Sequence, residues 1–306
     1  MLLHGIVPAL VTPFRADERI DYDAWQTIID ALIGAEVDGL SAAGGQGEFF
    51  SLSVEERTVA LRFCHQAMAG RAPLYGNVGC VTTRDTIQLA QAAEGVGVDR
   101  LIVVTPYYLK PSAAELAEHY IEVCRAVHLP VLANNNPERS GVDLTPEIVA
   151  RIAANCENFV GLKDSSARLE RIRAYRNAVP DRKLAVFTGC DNLVLPALEE
   201  GAAGVFAAGA NIAPRLFVEL YRAWRSGNRA EAARLQTLAD ELYAALALHT
   251  FPGVVKEAMQ MAGLAAGPCR KPVGPMPAEA RQKLARVLAG LAKEGYLPRA
   301  AQIATA

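Results

Sequence analysis

The sequence of 306 residues predicts an α/β protein, a (β/α)8 TIM barrel with a C-terminal helical appendage. Three observations support this fold class. Short runs rich in Val, Ile and Leu alternate with amphipathic helical patterns. The runs are continuously apolar, as expected of parallel strands buried on both faces. Eight strand–helix units follow one another at a spacing of about 30 residues, which fits a barrel better than a doubly wound sheet of five or six strands.

The eight predicted strands can be placed in chain order. They cover residues 5–13, 38–43, 72–78, 100–107, 130–135, 159–164, 183–189 and 202–208. Capping signals mark three of the helices between them: S-x-x-E at 53–56 and at 112–115, and Thr-Pro-Glu at 145–147. No linker rich in Pro, Gly or Ser divides this region, so we expect one barrel.

The strand signal stops after about residue 228. Two later segments place apolar residues on one helical face: Leu235, Leu238, Leu242, Ala245 and Leu246 in residues 229–248, and Leu284, Val287, Leu288 and Leu291 in residues 278–292. We therefore predict a barrel over residues 1–228 and packed helices over residues 229–306. The simplest interpretation of these helices is additional core without a catalytic role.

Composition excludes several classes of partner. The chain has 31 Lys and Arg against 33 Asp and Glu, a net charge of −2, which does not indicate binding to nucleic acid or to an anionic membrane. The N-terminal residues 1–14 lack a basic leader, and no uninterrupted apolar stretch is long enough to span a bilayer. The six cysteines are scattered without a C-x-x-C pair, which predicts reduced thiols in a cytoplasmic protein.

Lys163 is the only cation at the predicted strand ends. In a barrel of this kind, chemistry takes place at the C-terminal ends of the strands. Lys163 closes the apolar run FVGLK, where desolvation should lower its pKa. The neutral amine could attack a ketone and form an imine that acts as an electron sink. The alternative is a structural salt bridge between Lys163 and Asp164 or Asp191.

The glycine-rich segment at 42–53, AAGGQGEFFSLS, suits an anion such as a carboxylate. It does not complete a dinucleotide-binding pattern, because residue 50 is Phe, and a tight turn explains it equally well. The five histidines show no metal-ligand spacing, so we expect no metal. Ser165 and Ser166 lack a His/Asp partner, which disfavours a serine hydrolase.

Several motifs at these strand ends, taken together, resemble one family. They are G-x-x-G-E at 44–48, VVTPYYLKPS at 103–112, NPERSG at 136–141, GLKDSS at 161–166, the segment 188–214, and Lys256. The sequence resembles the dihydrodipicolinate synthase/N-acetylneuraminate lyase family, the class I Schiff-base pyruvate aldolases. The resemblance runs from GIVPALVTPF near the N-terminus to CRKPVGPM near residue 276.

The resemblance implies roles for individual residues. Lys163 would form the imine with pyruvate or another 2-oxo acid, without any further cofactor. The loop at Gly45 and Gln46 would bind the substrate carboxylate. Tyr107 would reach the active site of an adjacent subunit, in a homotetramer or dimer, and Arg139 would help to bind the carboxylate of a second substrate.

The same resemblance places Phe206 beside the imine, and we expect Thr188 and Gly189 to contribute to substrate binding. Two departures from the family pattern matter. Asn134 stands where the family usually has a proton-shuttling tyrosine, and an amide cannot serve as a general acid or base near pH 7. Gly45 and Gln46 replace the paired threonines of the synthase, one of which links two tyrosines in a proton relay.

We therefore expect a Schiff-base lyase that acts on pyruvate or a 2-oxo (sugar) acid by aldol cleavage, condensation or dehydration. An ordered water held by Asn134, Gln46 and Tyr107, or Tyr108, would transfer protons. The segment GGQGEFFSLS is also similar to that of 5-dehydro-4-deoxyglucarate dehydratases. Two alternatives stay open: 4-hydroxy-tetrahydrodipicolinate synthase, which Arg139 favours, and a 2-oxo-acid-binding protein with little turnover.

Overall fold

The computed structural model describes residues 3–297, so residues 1–2 and 298–306 of the predicted segments lie outside it. Its eight parallel strands form one sheet in the order β1-β8-β7-β6-β5-β4-β3-β2. The strands are β1 (Gly5–Pro8), β2 (Leu40–Ala42), β3 (Leu74–Asn77), β4 (Arg100–Val104), β5 (Val131–Asn135), β6 (Phe159–Asp164), β7 (Ala185–Thr188) and β8 (Gly204–Ala207).

The sheet closes between its first two strands. Ala9 and Ser41 form a parallel bridge beyond the end of β1. The Leu10 amide donates to the Ser41 carbonyl and the Asp38 amide donates to the Ile6 carbonyl, each at 2.9 Å. The predicted (β/α)8 barrel is confirmed. The strands are shorter than predicted at several carboxyl ends, because residues such as 9–13 and 105–107 leave the ladder and form loops.

Helices alternate with the strands and then continue beyond the barrel. They are α1 (Tyr22–Gly34), α2 (Val54–Met68), α3 (Thr83–Val96), α4 (Ala113–Arg125), α5 (Pro137–Ser140), α6 (Pro146–Asn155), α7 (Glu170–Asn177), α8 (Val194–Glu199), α9 (Pro214–Arg225), α10 (Arg229–Ala245), α11 (Gly253–Met261) and α12 (Ala278–Lys293). Ser53 and Ser112 form reciprocal capping boxes with Glu56 and Glu115, as predicted. The Thr145 side chain makes no cap hydrogen bond. None of the described helices is both long and apolar enough to cross a membrane.

Aromatic and aliphatic side chains fill the barrel interior: Val7, Tyr75, Ile102, Leu132, Phe187 and Phe206. The Phe206 ring meets Tyr75 edge-on at 5.2 Å and Phe187 at 4.9 Å between ring centroids. A larger apolar layer lies between the strands and the helices. The barrel interior is thus a packed core rather than a pore.

The helices after residue 228 pack as their periodicity predicted. Leu235, Leu242 and Ala245 of α10 are buried, and so are Leu284, Leu288 and Leu291 of α12, while Leu238, Leu246 and Val287 are partly buried. Helix α11, which lies between these two, was not predicted from the sequence. The division of the chain into two domains at residue 228 stays a prediction.

Candidate active site

Lys163 lies near the carboxyl end of β6 and faces the barrel interior. Its Cα is in register with Asn134 of β5 and with Phe187 of β7. Side chains alternate along a strand, so Lys163 and Asn134 lie on the same face as the interior residues Phe187 and Leu132. The Lys163 Nζ lies 5.8 Å from the centre of the Phe206 ring, which forms the floor beneath it.

The surroundings of Lys163 favour its neutral form. Burial lowers the pKa of Lys163, the nearby Cys190 and Asp191 act in the opposite direction, and Arg139 lowers the pKa further. Among the residues that the structure describes, no carboxylate oxygen lies within 4 Å of Nζ. A lysine held in this way is available as a nucleophile.

The two aspartates considered as salt-bridge partners are engaged elsewhere. Asp164 accepts hydrogen bonds from Asn135 Nδ2 at 2.8 Å and from the Ser166 hydroxyl at 2.6 Å. Asp191 accepts from the backbone amides of Ala208 and Gly209, at 3.1 and 2.6 Å. The structural salt bridge proposed as the alternative role of Lys163 is therefore wrong. Burial raises the pKa of Asp191 to about 6, which sequence reasoning did not anticipate.

Gly189 lies against the stem of Lys163. A Cβ at residue 189 would lie 2.6 Å from Lys163 Cε and 2.0 Å from the Ser165 hydroxyl, so a larger residue would displace the lysine. Thr188 is different, because it lies on the opposite face of β7 from Phe187 and its hydroxyl accepts the Cys190 amide at 3.1 Å. The structure does not bring the Thr188 side chain to Lys163, and its substrate contact stays a prediction.

Two amide side chains at the site have unpaired oxygens. Asn134 Oδ1 and Gln46 Oε1 are buried, and neither has a hydrogen-bond partner among residues 3–297. The next residue, Asn135, faces the other way and bonds to Asp143 and Tyr175 behind the sheet. Buried polar atoms in native proteins are nearly always satisfied by protein, water or ligand. We therefore expect water or a ligand to donate hydrogen bonds to these two oxygens.

The glycine-rich loop after β2 folds tightly over neighbouring strands. A Cβ at Gly44 would lie 2.9 Å from the Asn77 side chain. The Gly47 carbonyl accepts from the Thr12 hydroxyl at 2.8 Å. A 3-10 turn, Phe49–Ser51, follows, and α2 begins only at Val54. A carboxylate at this loop would consequently meet the amides of the turn rather than the terminus of α2.

The two adjacent tyrosines occupy different environments. Tyr107 is half-buried against Phe49, with 5.6 Å between ring centroids, and burial raises its pKa. Tyr108 has a left-handed backbone, with φ of 76°, and its side chain is fully exposed. Tyr108 rather than Tyr107 projects away from the chain. The predicted reach of Tyr107 into another subunit stays a prediction.

Arg139, on α5, stacks on an aromatic ring that sequence reasoning missed. Its guanidinium carbon lies 3.9 Å from the centre of the Phe251 ring. No acidic group among the described residues lies within 4 Å of its guanidinium. A Cβ at Gly45 would lie 3.3 Å from the same ring, so Phe251 bridges Arg139 and the glycine-rich loop. Phe251 precedes α11 in a segment without periodicity, and no local pattern pointed to it.

Residues 3–297 contain no group of three or more His, Cys, Asp or Glu side chains arranged to hold a metal ion. The expectation that the enzyme works without a metal or other cofactor stays a prediction. The arrangement of Lys163 suits imine chemistry, in which the protein itself supplies the electron sink.

Comparisons with known proteins agree with this chemistry. The family model described as the dihydrodipicolinate synthetase family matches residues 2–291. The chain is 37% identical over 290 residues to 4-hydroxy-tetrahydrodipicolinate synthase of Archaeoglobus fulgidus, covering 95% of this chain and 99% of that protein. It is 36% identical over 298 residues to the "Probable 2-dehydro-3-deoxy-D-pentonate aldolase YjhH" of Escherichia coli K12, covering 96% and 98%.

Solved structures give the same result. YagE, a prophage protein of the dihydrodipicolinic acid synthase family from Escherichia coli K12, was solved in complex with pyruvate. Its structure matches with a TM-score of 0.91 and 33% identity, over 97% of this chain and all of the other. The likeness in sequence and in fold thus extends over nearly the whole chain.

Proposed function

The chain belongs to the dihydrodipicolinate synthetase family, and from this premise we propose that Lys163 forms a Schiff base with pyruvate or another 2-oxo acid. The protein is a lyase of the class I aldolase or synthase type. The observation that carries the assignment to Lys163 is its position: a desolvated amine on the inner face of β6, without a carboxylate within 4 Å among the described residues.

The proposed reaction follows from imine chemistry. The neutral amine adds to the keto carbon, and loss of water from the carbinolamine gives the protonated imine. In aldol cleavage the C4 hydroxyl loses its proton, the C3–C4 bond breaks, and its electron pair moves into the imine to give an enamine. Protonation of the enamine at C3 and hydrolysis release pyruvate and the free lysine. Condensation is the same sequence in reverse.

The surrounding residues have complementary roles in this proposal. The amides of the Gly45–Gln46 turn bind the substrate carboxylate, and Phe206 provides an apolar floor beneath the imine. Gly189 leaves space for the Lys163 stem, and Thr188 supports the adjoining loop through the Cys190 amide. No metal or organic cofactor is needed, because the imine withdraws the electrons.

A hydroxylated, sugar-derived 2-oxo acid is the substrate class that we favour. The unpaired oxygens Asn134 Oδ1 and Gln46 Oε1 can only accept hydrogen bonds, so hydroxyl groups of the substrate or an ordered water would supply the donors. Asn134 cannot itself exchange protons, so the water would transfer them, aided by Tyr107 or Tyr108. The likeness to the pentonate aldolase YjhH supports this class.

The second candidate activity is 4-hydroxy-tetrahydrodipicolinate synthase. Arg139 favours it, because a guanidinium without an acidic partner could bind the carboxylate of aspartate semialdehyde. The likeness to the Archaeoglobus fulgidus synthase also supports it. Asn134 opposes it, because an amide replaces the proton-shuttling tyrosine of the family. A positioned acid or base typically contributes about 10²–10⁴-fold to a rate, and its absence should lower synthase activity by roughly that factor.

Borohydride trapping tests the proposal. The protein is incubated with pyruvate or with members of a panel of 2-oxo acids, reduced, and analysed by intact mass. The wild type should gain the mass of the reduced adduct, and Lys163→Ala should gain none, while the exposed-lysine control Lys183→Ala should behave as the wild type. A folded wild type without an adduct, or an adduct retained in Lys163→Ala, would contradict the mechanism. Trapping without turnover of any tested acid would instead favour a binding protein.

We further propose a homo-oligomer, a tetramer or dimer, in the cytoplasm. Tyr108 and Leu109, in the loop after β4, are exposed, and so are Phe50, in the 3-10 turn after β2, and Val54, at the start of α2. An isologous contact between copies of the chain would cover such residues. All six cysteines are free, which supports a reducing compartment. Sedimentation analysis of the wild type and of Tyr108→Ser would test the oligomer.

A further inference from the structure

A second lysine is buried close to the candidate site, and it is paired. Lys256, on α11, is 1% exposed, and its Nζ lies 2.6 Å from Glu48 Oε1, which is fully buried. The same Nζ donates to the Pro268 carbonyl at 2.8 Å and lies 4.2 Å from the centre of the Phe14 ring. Lys256 is therefore fixed on several sides and has no access to a substrate.

Glu48 is the last residue of the glycine-rich loop. It takes the left-handed conformation, with φ of 56°, and its amide donates to the Gly45 carbonyl at 3.0 Å. Its second carboxylate oxygen accepts from the Arg270 amide at 3.0 Å. Both oxygens are thus held by the C-terminal part of the chain, more than 200 positions away. The loop that would bind the substrate carboxylate is anchored from outside the barrel.

A second contact joins the same two parts of the molecule. Phe251, two residues before α11, lies against Gly45 and beneath Arg139. The segment that contains Phe251 and Lys256 therefore contacts both the first and the last residues of the turn 45–48. Displacement of α11 would be transmitted to that turn.

We propose that the buried Lys256–Glu48 pair positions the Gly45–Gln46 turn for the carboxylate of the 2-oxo acid, so that both are positioning residues of the active site. This inference rests on the proposed function. A buried ion pair is rarely more stabilising than apolar residues of similar size. Its directional contacts can nevertheless hold a turn in one geometry, and binding of a small anion by backbone amides depends on that geometry.

The test compares variants in their affinity for pyruvate. The double variant Lys256→Met/Glu48→Gln removes both charges and approximately preserves shape, which avoids leaving one buried charge unpaired. Trapping is repeated over a range of pyruvate concentrations to obtain the half-saturating concentration. We expect this to rise about tenfold or more, as for loss of a hydrogen bond to a charged group. The yield of adduct at saturating pyruvate should stay near that of the wild type.

Glu257→Gln is the matched control. Glu257 follows Lys256 in α11, but it pairs with Arg281 of α12 at 2.7 Å and does not contact the loop. Loss of the Glu257 charge should leave the half-saturating pyruvate concentration unchanged. Glu48→Asp is a further variant that keeps both charges and shortens the connection by one methylene. This variant should also raise the half-saturating pyruvate concentration. If the double variant does not fold, Glu48→Asp alone tests the positioning role.

If the double variant folds and has the half-saturating pyruvate concentration of the wild type, the inference is overturned, even if its melting temperature is lower. If the double variant does not fold, the same result for Glu48→Asp overturns the inference. Absence of an adduct in the wild type would instead overturn the proposed function. In that case, calorimetric titration of pyruvate into the wild type and Glu48→Asp judges the positioning role. Equal affinities, or no binding by either, would overturn it, and weaker binding by the variant would support it.

Discussion

Replacement of Lys163 by Met should abolish the adduct and at the same time stabilise the protein. The Lys163 amine is desolvated on the inner face of β6 and has no hydrogen-bond acceptor within reach among the described residues. Met has a similar length and no polar group, and it would pack on the Phe206 ring. Functional groups in active sites often reduce stability, so replacing the Lys163 amine should stabilise the folded state.

The expected magnitude follows from the surroundings of the amine. A buried polar group without a partner typically costs about 1–3 kcal/mol. Lys163 keeps partial exposure towards the pocket, and its contact with the Phe206 ring compensates in part, so we expect the lower part of this range, about 1–2 kcal/mol. One kcal/mol shifts the melting temperature of a protein of this size by about 2–4 °C. Lys163→Met should accordingly melt roughly 2–8 °C above the wild type.

Differential scanning calorimetry without ligand measures this difference, and trapping with pyruvate measures the loss of the adduct. Lys183→Met is the control, because Lys183 is exposed and its replacement should change stability by no more than about 0.5 kcal/mol. A Lys163→Met protein that melts below the wild type would refute the reasoning, since it would mean that the amine makes a stabilising contact. The burial of Lys163 would then have a structural reason, and it would no longer support a nucleophilic role.

Three further predictions concern pH, the missing proton relay and metals. Burial raises the pKa of Asp191 from 3.8 to about 6, so this carboxyl destabilises the fold above pH 6 and ceases to do so below about pH 4. The wild type should therefore gain up to about 3 kcal/mol relative to Asp191→Asn between pH 7 and pH 4, as measured by paired denaturant titrations. Synthase activity should be barely detectable in the wild type and should not return in Asn134→Tyr alone. Combining that change with Gly45→Thr and Gln46→Thr should do better than either change alone, and a wild-type kcat/KM of about 10⁴ M⁻¹s⁻¹ or more would show that another group supplies the proton. Activity should survive EDTA, and a loss that zinc or magnesium restores would point to a different mechanism.

The architecture could be predicted from the sequence alone, and so could the position of the proposed nucleophile. The eight strands were recognisable because strands buried on both faces must be apolar along their whole length, which is a local property. The capping boxes at Ser53 and Ser112 are local as well, since their partners are three residues away. Lys163 was singled out because a single cation ends an apolar run, and the family motifs around it predicted its role in imine chemistry.

The direction in which an individual side chain points was decided by the backbone around it, in the strands and in the loops that follow them. Thr188 and Gly189 are adjacent in sequence, but only Gly189 lies against Lys163. Thr188, the last residue of β7, faces the opposite side of the sheet from Phe187, because side chains alternate along a strand. Likewise, the sequence does not show which of Tyr107 and Tyr108 projects from the chain. The left-handed backbone at Tyr108 determines this, and it results from the course of the whole loop.

The contacts made by the C-terminal helices could come only from the tertiary structure. Helix α11 has nine residues and begins after Pro252 without a side-chain cap, so neither its pattern nor its start was evident. Lys256 meets Glu48, and Phe251 meets Arg139, across separations that only the closed barrel makes short. A sequence pattern records which residues favour burial. It does not record which residue pairs with a buried charge. That partner depends on how distant segments pack together, because a buried charge must be compensated by a group that the fold brings next to it.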